Sequence, residues 1–235
     1  MSNTSKAAIC VFANGNSVPV FERCFNSILK HTPPDQFELR LAFSQADKSL
    51  CLAVGALSPN GVWLQCDRLP DGFERVRWTA RQGFPVRAWH TERHTSRENL
   101  ARLMFHDLPL ESEYAICLDQ SAAVEAGWWE ALAPLLERKV DYIGHLKWRD
   151  YLPGEKEQIE RHSWYLGVPQ ARRDGRPGVS YLGGEFMAVR AERLRQVNFP
   201  CSPGFAPGCD VLLGAIAHQM RWTQATHDDH VLLVE

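Results

Sequence analysis

Short apolar runs that stop at polar turns, alternating with stretches of helical period, organise this chain. Ala7 to Phe12 is continuously apolar and ends in Ala13-Asn14-Gly15-Asn16, residues that accept the backbone angles of a turn. Phe21, Cys24, Phe25, Ile28 and Leu29 then share one helical face, with Pro19 suited to a first turn and Thr32-Pro33-Pro34 to a stop. Phe37 to Phe43 alternates as a second strand and gives way to Ser44-Gln45-Ala46-Asp47. Leu50 to Leu57 and Val62 to Cys66 are further apolar runs, and the Ser58-Pro59-Asn60-Gly61 between them predicts a hairpin or tight turn.

The most informative run is Tyr114-Ala115-Ile116-Cys117-Leu118. It is too short for a helix and has no polar alternation, so it predicts a strand buried on both faces of a parallel sheet. It ends at Asp119. In open α/β sheets the ligand crevice lies beyond the carboxyl ends of the strands, so this carboxylate either meets a nucleotide or metal or caps the turn that follows. Upstream, Thr95-Ser96-Arg97-Glu98 has the form of a capping box with Thr95 at the cap, opening a helix from Ser96 to His106. Downstream, Trp128 to Arg138 predicts a helix kinked at Pro134, and Val140 to Leu146 another strand reaching Lys147-Trp148-Arg149. A long mixed loop follows. Its aromatics, with Trp148, Tyr151, Trp164 and Tyr165 foremost, either stack on sugar or base faces or form the apolar underside of the loop.

In Tyr181 to Arg190 the paired Gly183 and Gly184 let the backbone pass close to a ligand, and Phe186 to Val189 resumes a strand. Ala191 to Val197 predicts a short helix. Pro207-Gly208-Cys209-Asp210 leads into a helical pattern of Val211, Leu212, Ala215, Ile216 and Met220. Asp210 falls in its first turn, where the helix dipole is expected to lower its pKa and keep it ionised.

Composition narrows the picture only in places. The 235 residues suit one large α/β domain or two small ones, and a net charge of -2 argues against a protein that coats nucleic acid without specificity. A local basic excess is present, since Arg68 to Arg102 holds eight Arg against four acids, and it suits a diphosphate or a nucleic-acid backbone. The seven cysteines are odd in number and form no Cys-x-x-Cys pair, which predicts reduced thiols and a cytoplasmic protein. No run of about 18 apolar residues predicts a membrane span.

Taken in order, these segments resemble a nucleotide-sugar glycosyltransferase of the GT-A fold, family-2-like. The resemblance implies an α/β fold with a Rossmann-like, mixed and mostly parallel sheet flanked by helices. It implies one domain over residues 1–235, with a nucleotide-binding half, 1–119, and an acceptor and catalytic half, 120–235. In that family the first turn and the end of the second strand hold base and ribose, which points to Asn14 and Asp47. A basic side chain before the central strand meets the diphosphate, here Arg97 or its competitor Arg102. The family's Asp-x-Asp metal motif stands as Asp119-Gln120-Ser121, without its second acid. A divalent cation, Mn²⁺ or Mg²⁺, is then expected on Asp119 and His227, with His230 as the alternative and Asp228 and Asp229 as substitutes for the missing acid. Gly183 and Gly184 fall under the donor sugar. Asp210 matches the base of an inverting transfer, and Glu185 is the second candidate.

The implied partners are a nucleotide-sugar donor and an acceptor hydroxyl contacted by Trp148 and Trp164. A lipid-linked acceptor is not expected; a soluble glycan, a protein or a hydroxymethylated pyrimidine in DNA is, the last by resemblance to compact phage enzymes that work in the host cytoplasm. Two other classes stay open: a nucleotide- or carbohydrate-binding module without catalysis, and a sugar nucleotidyltransferase. The nucleotidyltransferase would need a glycine-rich basic loop after the first strand, which Ala13-Asn14-Gly15-Asn16 does not supply.

Overall fold

A computed structural model describes residues 7–14, 18–44, 65–68, 74–79, 85–91, 95–107, 110–172, 174–197, 208–227 and 230–233. Strands β1 (Ala7–Asn14), β2 (Phe37–Ser44), β3 (Gln65–Arg68), β4 (Glu74–Thr79), β5 (Pro85–Thr91), β6 (Tyr114–Asp119), β8 (Tyr142–Arg149), β9 (Val179–Arg190) and β10 (Gln224–Thr226) form one nine-stranded sheet. Its order is β10-β8-β9-β6-β1-β2-β5-β4-β3. Only β4 and β9 run against the other strands, so the sheet is mixed and mostly parallel, as expected. A second, two-stranded sheet joins β7 (Ala122–Val124) to β11 (Val231–Leu233) near the chain's end.

The unbroken apolar runs follow from burial on both faces. Along β1, Ala7, Ile9, Val11 and Ala13 face one apolar layer, while Ala8, Cys10 and Phe12 face the other. The first layer is closed by helices α1 (Val18–His31) and α3 (Trp128–Glu137), whose Trp128 indole donates to the terminal His31 carbonyl at 3.0 Å. The second is closed by α2 (Arg97–Arg102) with its π-helical extension Leu103–Asp107, by α5 (Ala191–Leu194) and by α6 (Cys209–Gln219). The short helix α4 (Glu155–Glu160) lies within the segment expected to be loop.

Some local expectations change. The alternation in β2 does not mark a solvent face, because all eight residues are buried. Arg40 is tolerated there by donating from Nε to Glu38 Oε1 at 2.7 Å and from Nη1 to the Met104 carbonyl at 2.5 Å. The cap of α2 is Ser96, not Thr95: its Oγ accepts from Asn99 N at 3.3 Å, and the α-helical part ends at Arg102. The turn at 58–61 and the runs around it fall outside the described residues, apart from Gln65 and Cys66 in β3.

One irregularity positions the site. Strand β9 pairs with β6 as far as Phe186 opposite Leu118, one residue before β6 ends, yet β9 continues alongside β8. Between the pairs Gly144–Met187 and Leu146–Leu182 there are two steps along β8 and five along β9, so three extra residues bulge from β9. Gly183-Gly184-Glu185-Phe186 is that bulge. Beyond it β8 and β9 form a ribbon that α6 covers at very short range. A Cβ on Gly214 would lie 2.5 Å from the Ser180 carbonyl oxygen and 2.7 Å from Tyr181 Cα. Gly214→Ala is therefore expected to cost about 1–3 kcal/mol through overpacking, seen as a lower urea midpoint with an unchanged slope.

Candidate active site

The cavity of interest lies at the carboxyl ends of β1, β2 and β6, has a volume of about 220 Å³, and is lined by Phe12, Ser44, Thr95, Arg97, Asp119 and Gln120 among others. Its rim is tied together by short polar contacts. The Gln120 amide donates to the Phe12 carbonyl at 3.2 Å, and Thr95 N donates to Ser44 Oγ at 3.0 Å. The latter fixes the entrance of α2 against the end of β2.

Arg97, at the start of α2, joins three elements. Its Nη2 donates to the Gly184 carbonyl at 2.7 Å, its Nη1 lies 3.7 Å from Asp119 Oδ2, and its Cζ stands 4.7 Å from the Phe12 ring centroid. Gly184 leaves room for this packing, since a Cβ there would come within 2.9 Å of Arg97 Nη1. Of the two arginines expected from the sequence, Arg97 lines the cavity and Arg102 does not. Asp119 both faces the cavity and serves its turn: Oδ1 accepts from Ser121 N at 3.0 Å and Ser121 Oγ at 2.8 Å.

Two further carboxylates stand nearby in opposite electrostatic environments. Burial pushes the Asp210 carboxyl above its ordinary value, and the Glu185 charge adds to this, against the Val211 amide hydrogen bond and the Arg97 charge. The expected lowering by the helix dipole is thus corrected, because desolvation at the start of α6 outweighs it. Glu185 goes the other way. Burial raises it, but the hydrogen bond from Lys147 Nζ to Oε1 at 2.5 Å and that ion pair's charge outweigh burial and hold the carboxyl below its ordinary value. Gly183 makes room for the pair, with Lys147 Nζ 2.8 Å from where its Cβ would be. Asp210 is held from behind by Tyr142, whose hydroxyl accepts from Leu182 N at 3.3 Å and donates to the Asp210 carbonyl at 3.5 Å.

The other expected site residues are less convergent. Asn14 ends β1, and Asp47, Asp228 and Asp229 lie outside the described residues. His227 is buried beyond β10, its ring 6.0 Å from that of Phe186 and its amide bonded to the Gly144 carbonyl at 2.9 Å. His230 lies over Gly127, its Nε2 3.6 Å from where a Cβ of that glycine would be. Trp164 stacks on His162 at 5.1 Å and 11° and packs on the second apolar layer; Trp148 sits on the β8–β9 ribbon with a buried, unpartnered Nε1. Among the described residues no three His, Cys, Asp or Glu side chains converge to hold a metal ion. Among the described residues the donor set at the cavity is one carboxylate, already engaged by Ser121 and facing Arg97, and that set does not fit a protein-built cation site.

Sequence reasoning missed Ser121, Lys147 and Phe12. The turn-capping alternative for Asp119 pointed toward the first, and the structure shows Ser121 as the group it receives. The contacts of Lys147 and Phe12 depend on strand register and carry no local pattern.

No family model matches the chain, and no curated protein matches it in sequence. Solved structures do resemble it. A mannosyltransferase from Pyrobaculum calidifontis, PcManGT, in complex with GDP-mannose and Mn²⁺, aligns over 98% of this chain with TM-score 0.59 and 16% identity. S. aureus TarS, residues 1–349, aligns over 97% with TM-score 0.57 and 10% identity. The chain spans 56% and 60% of those two chains. The fold is the GT-A fold of these neighbours, which at such identities settles architecture and leaves chemistry to the site.

The raised Asp210 pKa has a thermodynamic consequence. A carboxyl whose folded value exceeds its unfolded one lowers stability once ionised, and the cost vanishes as pH falls through the folded value toward the ordinary 3.8. Asp210→Asn is expected to unfold at higher urea than the parent at pH 7, the gap closing below about pH 4.

Proposed function

We propose that this protein is a glycosyltransferase that moves a sugar from a nucleotide-diphosphate sugar to an acceptor hydroxyl with inversion. The observation that carries this reading is the convergence, at the carboxyl edge of a GT-A sheet, of a guanidinium fixed by Asp119 and Gly184 with a buried carboxylate, Asp210, on the adjoining helix. The first can meet a diphosphate; the second can take a proton.

In the proposed step the acceptor oxygen attacks the anomeric carbon while its proton passes to an oxygen of Asp210. The bond from that carbon to the diphosphate oxygen breaks, and its electron pair leaves with the nucleoside diphosphate. The charge that develops is met by Arg97 through charge-assisted hydrogen bonds. Burial makes Asp210 the stronger base of the two carboxylates, whereas the Lys147 ammonium makes Glu185 the weaker, which supports Asp210 over Glu185 in this role. Gly183 and Gly184 form the floor beneath the donor sugar, and Asn14, at the end of β1, stands on the nucleotide side.

The resemblance to PcManGT, whose complex holds GDP-mannose, makes guanosine diphosphate and its sugars the first donors to try. Acceptor contact is assigned to the β8–β9 ribbon and its excursion, with Trp148 and Trp164. A glycan hydroxyl or a hydroxymethylated base in DNA fits this arrangement; binding to duplex DNA that falls steeply with salt would select the second. Among the described residues no helix is long and apolar enough to cross a membrane.

Asp210→Asn should lower transfer about 10²- to 10⁴-fold while nucleotide affinity stays within about twofold of the parent. Glu185→Gln should retain most of the turnover. Full turnover in the Asp210 variant, followed by release of nucleoside diphosphate, would remove Asp210 from the mechanism.

A further inference from the structure

We infer that Arg97 takes the place of a divalent cation, so that the diphosphate is bound and neutralised without metal. This rests on the donor reading above and concerns the same site. Among the described residues the acidic side chain that lines the cavity is Asp119, and its two oxygens are already directed. Oδ1 receives both donors of Ser121, at 3.0 Å from N and 2.8 Å from Oγ, while Oδ2 faces Arg97 Nη1 at 3.7 Å. Ser121 occupies the position of a second acid and uses its hydroxyl on the first. An ion coordinated by Asp119 would have to displace the serine hydroxyl or sit against a guanidinium that cannot lose its charge.

The guanidinium, in contrast, is built in. Phe12 supports its face, Gly184 gives it both a carbonyl acceptor and the space left by a missing Cβ, and Ser96 caps the helix that carries it. Of its five N–H groups, one is spent on the Gly184 carbonyl, and others remain for the cavity that Arg97 lines. A planar fork so held matches two phosphate oxygens at once, and it is in place before the ligand arrives. When the glycosidic bond breaks and the electron pair moves onto the diphosphate, this fixed cation meets the new charge without recruiting an ion.

The test is calorimetry on the full chain with adenosine, cytidine, guanosine, thymidine and uridine diphosphates, in EDTA and then in Mn²⁺ or Mg²⁺. One diphosphate is expected to bind in EDTA, with a Kd that either ion changes less than about threefold, a free-energy difference smaller than one charge-assisted hydrogen bond supplies. Arg97→Ala should weaken it about ten- to a hundred-fold in EDTA, and Arg97→Lys, which keeps the charge but loses the fork, should recover only part. Unchanged thermal unfolding in the Lys variant separates this from misfolding. Ser121→Asp, which adds an acid and frees Asp119, should make binding metal-responsive. Binding that is absent in EDTA and appears with Mn²⁺ or Mg²⁺ in the parent would overturn metal independence and leave the glycosyltransferase reading standing. Failure of every diphosphate in both conditions would overturn that reading as well.

Discussion

Strand β9 outruns its neighbour β6, and the candidate site is built at that mismatch. Extra residues inserted into one strand of a pair are left without a partner there and bend the strand, which re-aims its side chains. Here it bulges by three residues against β8, and the two glycines allow it. The bulge turns a backbone carbonyl to Arg97 and sets the Glu185 carboxylate against Lys147. Arg97, Asp119, Lys147 and Glu185 all meet at that irregularity or at the strand end beside it.

The anchoring elements are also the most tightly packed. Helix α6 approaches the ribbon closely enough that Gly214 has no room for a methyl group, and Tyr142 reaches from β8 to hold both the bulge, through Leu182, and the first turn of α6. The Asp210 carboxylate is therefore carried on a helix that cannot slide without breaking contacts on two strands. Such rigidity would keep the proposed base within reach of one hydroxyl. It also explains why Asp210 is desolvated: the packing that fixes it excludes water.

The charge pattern repeats one device twice. Arg97 stands by Asp119, and Lys147 by Glu185, each cation settled over a glycine of the bulge. The opposite edge of the sheet has a purely structural counterpart, where the buried Asp141 receives Arg190 Nη1, Arg193 Nε and the Thr223 amide at 3.0 Å each. The difference is exposure. Asp141 is saturated and sealed, whereas the ion pairs by the bulge are about one-third exposed and keep donors or acceptors for a ligand.

What the sequence determined by itself was the layering and the approximate place of the candidate site. Unbroken apolar runs in β1 and β6 require cover on both faces, helical spacing supplies the cover, and a run ending at Asp119 marks the edge where ligands meet such a sheet. The glycine pair and the acid opening α6 were legible for the same reason, because backbone permissiveness and position in a helix are local properties. Tertiary structure alone decided the rest. Burial reversed the expected shift at Asp210, since desolvation depends on what covers a group and not on its neighbours in the chain. Strand register brought Lys147 to Glu185, and packing brought Arg97 over Phe12 and onto Gly184. Those contacts span up to 87 positions in sequence, and no periodicity records a partner at that distance.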